Sequence, residues 1–126
     1  MQAFRTLSIA CAGLLTFSAT VQAESHGTAY PALELLQICQ EADNDSRLLG
    51  AAAEVECEQY IVGFVDALTV TGQTGADSGI CVPEQNIADE VRWAFMRWVH
   101  ESYSSRKGIP ASDAMLAVLK DKFACS

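Results

Sequence analysis

Four cysteines, Cys39, Cys57, Cys81 and Cys125, are the residues whose type and number first invite chemistry. A cysteine acts as a nucleophile only as an activated thiolate beside a histidine. The two histidines are His26, in a polar lead-in, and His100, in the third helical segment. An even cysteine count in a short exported chain reads more simply as a disulfide framework. No Gly-x-Ser-x-Gly elbow and no glycine-rich phosphate cradle is present. Asp43, Asp45 and Glu54 fall at positions 1, 3 and 12 of a calcium-loop template, but Arg47 would occupy a ligand position and Leu48 replaces the turn glycine. The expectation is a binding module that is not an enzyme and uses no metal or other cofactor.

Export is read from the first 23 residues. Arg5 supplies a positive start, Leu7 to Phe17 an uncharged apolar stretch, and Val21-Gln22-Ala23 the small residues of a cleavage site before Glu24. The stretch is shorter than the ~20 apolar residues that span a bilayer. Cys11, the fifth cysteine, has too little apolar sequence before it to be an acylation site, so it leaves with the leader. The expected products are a secretory signal peptide, residues 1–23, and a periplasmic domain, residues 24–126, with no membrane attachment after cleavage.

Of the 8 basic residues one, Arg5, goes with the leader, which leaves 7 against 16 acidic residues and a formal charge of −9. Such a surface repels phosphate backbones, so nucleic acid is excluded as a partner. A domain of about a hundred residues buries a modest core, and covalent staples add a large share of its stability.

The elements that hold these residues are helical. Pro31 suits the start of a helix whose face is Ala32, Leu35, Leu36 and Cys39. Asp43-Asn44-Asp45-Ser46 breaks that pattern, and Asp45 or Ser46 is placed to cap a second helix, about 47–71. One stripe of this helix carries Leu49, Ala53, Cys57, Tyr60, Phe64 and Leu68. Its opposite side carries Leu48, Val55 and Val62, with Asp66 in line. A helix apolar on two sides is packed on two sides, which predicts the centre of the fold. There Asp66 would accept hydrogen bonds from a neighbouring element, Tyr60 would fill core, and Gly63 would admit a close backbone. Gly72 to Gln85 is a loop by composition. Asn86 caps a third helix, about 87–104, with the stripe Ile87, Val91, Ala94, Phe95 and Trp98. A fourth comes after Ile109-Pro110, with Met115, Leu116, Leu119 and Phe123 inward. The predicted class is all-α, one domain of four main helices.

On the third helix Trp93, Met96, His100 and Tyr103 recur at spacings of three, four and three, away from the core stripe. An exposed row of aromatic and methionine side chains predicts an interaction surface, for a partner protein or a second copy in a homodimer. Burial of the row by a neighbouring helix is the plain alternative.

The helix ending at Cys39, the run Cys57…Tyr60-Ile61-x-Gly63-x-x-Asp66-Ala67, Cys81-x-Pro83 and Phe123-Ala124-Cys125 together resemble the Rap/Tai immunity proteins of bacterial type VI secretion. Ala124 departs from the proline that commonly precedes the last cysteine there. The resemblance implies a non-catalytic periplasmic protein that binds and blocks a toxin, a peptidoglycan amidase. Its motif residues Tyr60, Gly63, Asp66 and Pro83 read as framework and do not place the toxin site. A helical periplasmic acid chaperone of the HdeA kind is the alternative. Three pairings of the cysteines are open. Cys39–Cys57, tying consecutive helices across their turn, and Cys81–Cys125, tying the third helix's leading loop to the chain end, are expected. That loop, with Asp77 to meet a basic toxin rim, is the candidate plug.

Overall fold

The computed structural model describes residues 30–43 and 49–126. The expected leader, the lead-in with His26, the cap candidates Asp45 and Ser46, and Leu48 of the second apolar side lie outside them. Among the described residues the elements are α1 (Ala32–Glu41), α2 (Leu49–Val70), α3 (Ile87–Glu101), a single turn α4 (Tyr103–Arg106) and α5 (Ala111–Lys122). The four main helices pack into one all-α core, as the periodicity predicts.

Two chain crossings set the bundle. The first turn of α1 has free N–H groups and no side-chain cap. Its donors are met instead by the approach to α5: Ala32 N–H donates to the Ile109 carbonyl at 2.8 Å and Leu33 N–H to Lys107 at 2.9 Å. Ala111 N–H answers by donating to Tyr30 at 2.7 Å. The second crossing joins the 72–85 loop to the chain end. Ile80 pairs with Ala124, Cys81 N–H donates to Phe123 at 2.8 Å, and Cys125 N–H donates to Gly79 at 3.0 Å.

The disulfides are Cys39–Cys57 and Cys81–Cys125, the expected pairing. Their separations of 18 and 44 residues correspond to about 3 and about 4 kcal/mol of stabilisation in the chain-entropy model. Cys39 and Cys57 are both completely buried and pin α1 to α2 inside the core.

The centre of the fold is not α2. Both α1 and α3 pack against all three other main helices, whereas the main packing of α2 is against α1 and α3 alone. The buried stripe of α2 is Ala53, Cys57, Ile61, Val65 and Leu68, rotated slightly from the one expected. Tyr60 and Phe64 sit on its shoulder, half-buried. The second apolar side has no partner helix among the described residues, so Val55 is 59% exposed and Asp66 lies open to solvent. Asp66 is therefore not a buried acceptor. Nor does Gly63 admit a backbone, since a Cβ there would meet nothing within 4 Å. Two expected apolar faces outnumbered the helices available to cover them.

The third helix also stops earlier than its pattern suggests. Ser102 leaves helical geometry, with φ −146°, ψ 53°. Arg106 folds back on the end of α3: its guanidinium lies 3.9 Å from the Trp98 ring centroid, donates to the Trp98 carbonyl, and meets Glu101 at 3.4 Å. That clamp turns Tyr103 onto α4 instead of α3. Asn86 occupies the predicted cap position, but in the left-handed region (φ 52°) and without a side-chain hydrogen bond to the helix.

Candidate interaction surfaces

Two regions present built geometry to solvent. The first is an open groove of about 540 Å³ where the end of α1 meets the outer side of α3, lined by Gln40, Asp43, Trp93, Met96, Arg97 and His100. Trp93, 49% exposed, forms a wall. Met96 is the floor: it is 7% exposed and belongs to the core, which removes it from the expected surface row. The reason is the breadth of α3's buried face. Residues 91, 95 and 98 form one stripe and 92, 95, 96 and 99 another, and neighbouring helices cover both.

His100 closes one end. The Gln40 amide nitrogen lies 2.8 Å from His100 Nε2, a hydrogen bond that ties the end of α1 to α3. The imidazole also stacks on Tyr103, centroids 6.0 Å apart and planes 13° apart, and Lys107 Nζ sits 5.1 Å from the Tyr103 centroid. Tyr103 and His100 thus remain adjacent although the helix breaks between them. Trp93 and Arg97 also border a second recess of about 160 Å³ with Glu90, Ala94 and Lys122. They form a ridge between two hollows, and Trp and Arg are among the residues most enriched at interface hot spots.

Beneath the ridge lies Arg92, a residue that the sequence motifs do not single out. Its side chain is 9% exposed and meets Asp43 at 3.3 Å and Asp89 at 3.4 Å, while Nε finds no partner among the described residues. The signal was present: Arg92, Phe95, Met96 and Val99 fall at i, i+3, i+4 and i+7, the core pattern of a helix with a charge in its first place.

The second region is the 72–85 loop. Gly75 N–H donates to Ile80 at 2.7 Å, and Gly79 N–H to Gly75 at 3.1 Å, closing a tight turn. Gly75 and Gly79 hold φ of 102° and 78°, conformations that disfavour any side chain. Ile80 is buried and Cys81 is bonded to Cys125, so the base of the turn is fixed, while Ala76 to Gly79 stand exposed with Asp77 among them. Pro83 is half-buried between this turn and α3.

Tyr60 lies apart from both regions. Its ring packs between Tyr30, at 5.8 Å, and Phe64, at 6.4 Å. Burial raises the ionisation of both phenols above the ordinary tyrosine value, and Glu56 and Glu34 raise Tyr30 further. With Cys39, Cys57, Cys81 and Cys125 all oxidised, none of the four offers a thiolate.

Comparison with curated proteins found no match, and comparison with solved structures found none either. Residues 32–125, a span that holds every helix described above and both disulfides, match the model of the Rap1a immunity proteins, and the chain belongs to that family.

Proposed function

We propose that this protein protects its cell in the periplasm by binding a type VI secreted cell-wall amidase and occluding its active site, with the 72–85 loop as the plug. Membership of an immunity family supports binding as the means of action. The leader-like first 23 residues and the paired cysteines favour an oxidising exported location. The observation that carries the plug is the loop's construction. An exposed turn is fixed at Ile80 and Cys81, so entering a cleft would cost little ordering entropy. Asp77 at its tip would speed encounter with a basic rim. The Trp93–Arg97 ridge supplies a second contact area of hot-spot composition.

The chaperone reading needs an exposed apolar row for clients. With Met96 in the core, Trp93 and Tyr103 stand as separate aromatic patches, which favours a defined partner. The test is to express an amidase encoded beside this protein in the periplasm, with the intact protein or with Gln73 to Ser78 replaced by a neutral linker. Survival with the intact protein and lysis with the linker version is expected. Lysis with both rejects immunity to that toxin, and survival with both rejects the plug.

A further inference from the structure

The two disulfides differ in one respect that bears on chemistry. Cys39 and Cys57 each have no accessible surface, whereas Cys81 is exposed and Cys125 half-exposed. Thiol–disulfide exchange needs access of a thiolate to a sulfur, and of the two bonds only the second joins residues that reach solvent in the folded protein. We propose that Cys81 Sγ is a site of thiol–disulfide exchange at which a dithiol reductant opens Cys81–Cys125 alone, releasing the loop-to-tail anchor while the helices stay packed.

The steps balance. A thiolate attacks Cys81 Sγ, a mixed disulfide forms on Cys81, and Cys125 leaves as a thiolate that takes a proton from water. The second thiol of the reductant then displaces Cys81, so the protein bond is reduced by two electrons and the reductant becomes a disulfide. Cys81 is the sulfur attacked because it belongs to the more exposed residue of the two.

The consequence is local. Once the bond opens, the tail is held to the loop by the Cys81 N–H bond to Phe123 and the Cys125 N–H bond to Gly79. The turn itself keeps its Gly75–Ile80 closure, and α1 stays bonded to α2 through the core pair. Reduction thus loosens residues 124–126 and the base of the exposed turn, with Phe123 still packed against the core, without unfolding the bundle. This inference rests on accessibility and stands whether or not the loop is a toxin plug.

The test uses the whole oxidised protein under native conditions with limiting dithiothreitol, quenched by alkylation and mapped by peptide mass. Label should enter Cys81 and Cys125 on the order of a hundredfold faster than Cys39 and Cys57, because reaching the core pair requires local unfolding. Glutathione, a monothiol, should leave its mixed disulfide on Cys81. In the selectively reduced protein, amide exchange at Cys81 and Cys125 should accelerate while the helical circular dichroism is kept. Equal labelling of the four cysteines would overturn the proposal. So would glutathione on Cys125, or unchanged protection at both amides after reduction.

Discussion

Replacing Arg92 separates what its charge contributes from what its stem contributes. The Arg92 side chain is 9% exposed, but those of its partners Asp43 and Asp89 are 43% and 57% exposed, so water screens both pairs. Each such pair contributes below about 1 kcal/mol. Against this stands a buried Nε with no partner among the described residues, a cost of about 1 kcal/mol or more. The two effects nearly cancel, which leaves as the main contribution the two stem methylenes beyond Cβ that alanine lacks, about 0.8 kcal/mol each. Arg92→Ala should therefore cost about 2 kcal/mol, while Arg92→Met, which keeps the stem volume, should stay within about 1 kcal/mol of the parent. For a domain of this size 2 kcal/mol corresponds to a fall in Tm on the order of 10 °C. Urea titration read by circular dichroism at 222 nm measures both variants. If Arg92→Met proves as costly as Arg92→Ala, the charge is what holds α1 to α3 and the reasoning is wrong.

The glycines give opposite expectations. Gly63→Ala should stabilise by about 1 kcal/mol, since it lies in an exposed helix with open space around it, whereas Gly79→Ala, at φ 78°, should cost about 1–2 kcal/mol; urea midpoints decide both. Trp93→Ala should lower stability by less than about 1.5 kcal/mol, because the ring is half-exposed and the Arg92 guanidinium over it, at 5.3 Å, adds about 1 kcal/mol. It should weaken partner binding at least about tenfold, as read by calorimetry with the partner. The raised ionisation of Tyr30 and Tyr60 favours the neutral phenol in the fold. Unfolded tyrosine loses its proton first, so stability should hold below about pH 10 and fall above it. Tyr60→Phe should flatten that alkaline fall in Tm.

The helices were legible because their period is strong. Leu35, Leu36 and Cys39 on α1, and Val91, Phe95 and Trp98 on α3, are buried as their spacing requires. The disulfide pairing was legible from which segments must meet. Period alone does not reveal how many faces of a helix find partners. Val55, Val62 and Asp66 repeat well enough to suggest a second packed side, but no helix among the described residues covers α2 there. Conversely Arg92 and Met96 share a helical stripe with Phe95 and Val99, yet their burial follows only once α3 is seen to have neighbours on three sides. The break at Ser102 depends on Arg106 folding back over Trp98, a contact eight residues apart that no propensity anticipates. Ile80 carries no periodic signal, and only the return of the chain end beside it shows that it belongs to the core.

The central claim is tested most directly by titrating a purified amidase, encoded beside this protein, with the oxidised protein and measuring release of peptide from peptidoglycan. Occlusion predicts that hydrolysis stops at one protein per active site. Replacing Gln73 to Ser78 by a neutral linker should restore turnover while leaving the circular dichroism unchanged. An amidase that keeps full activity in a large excess of the folded, oxidised protein would contradict the account.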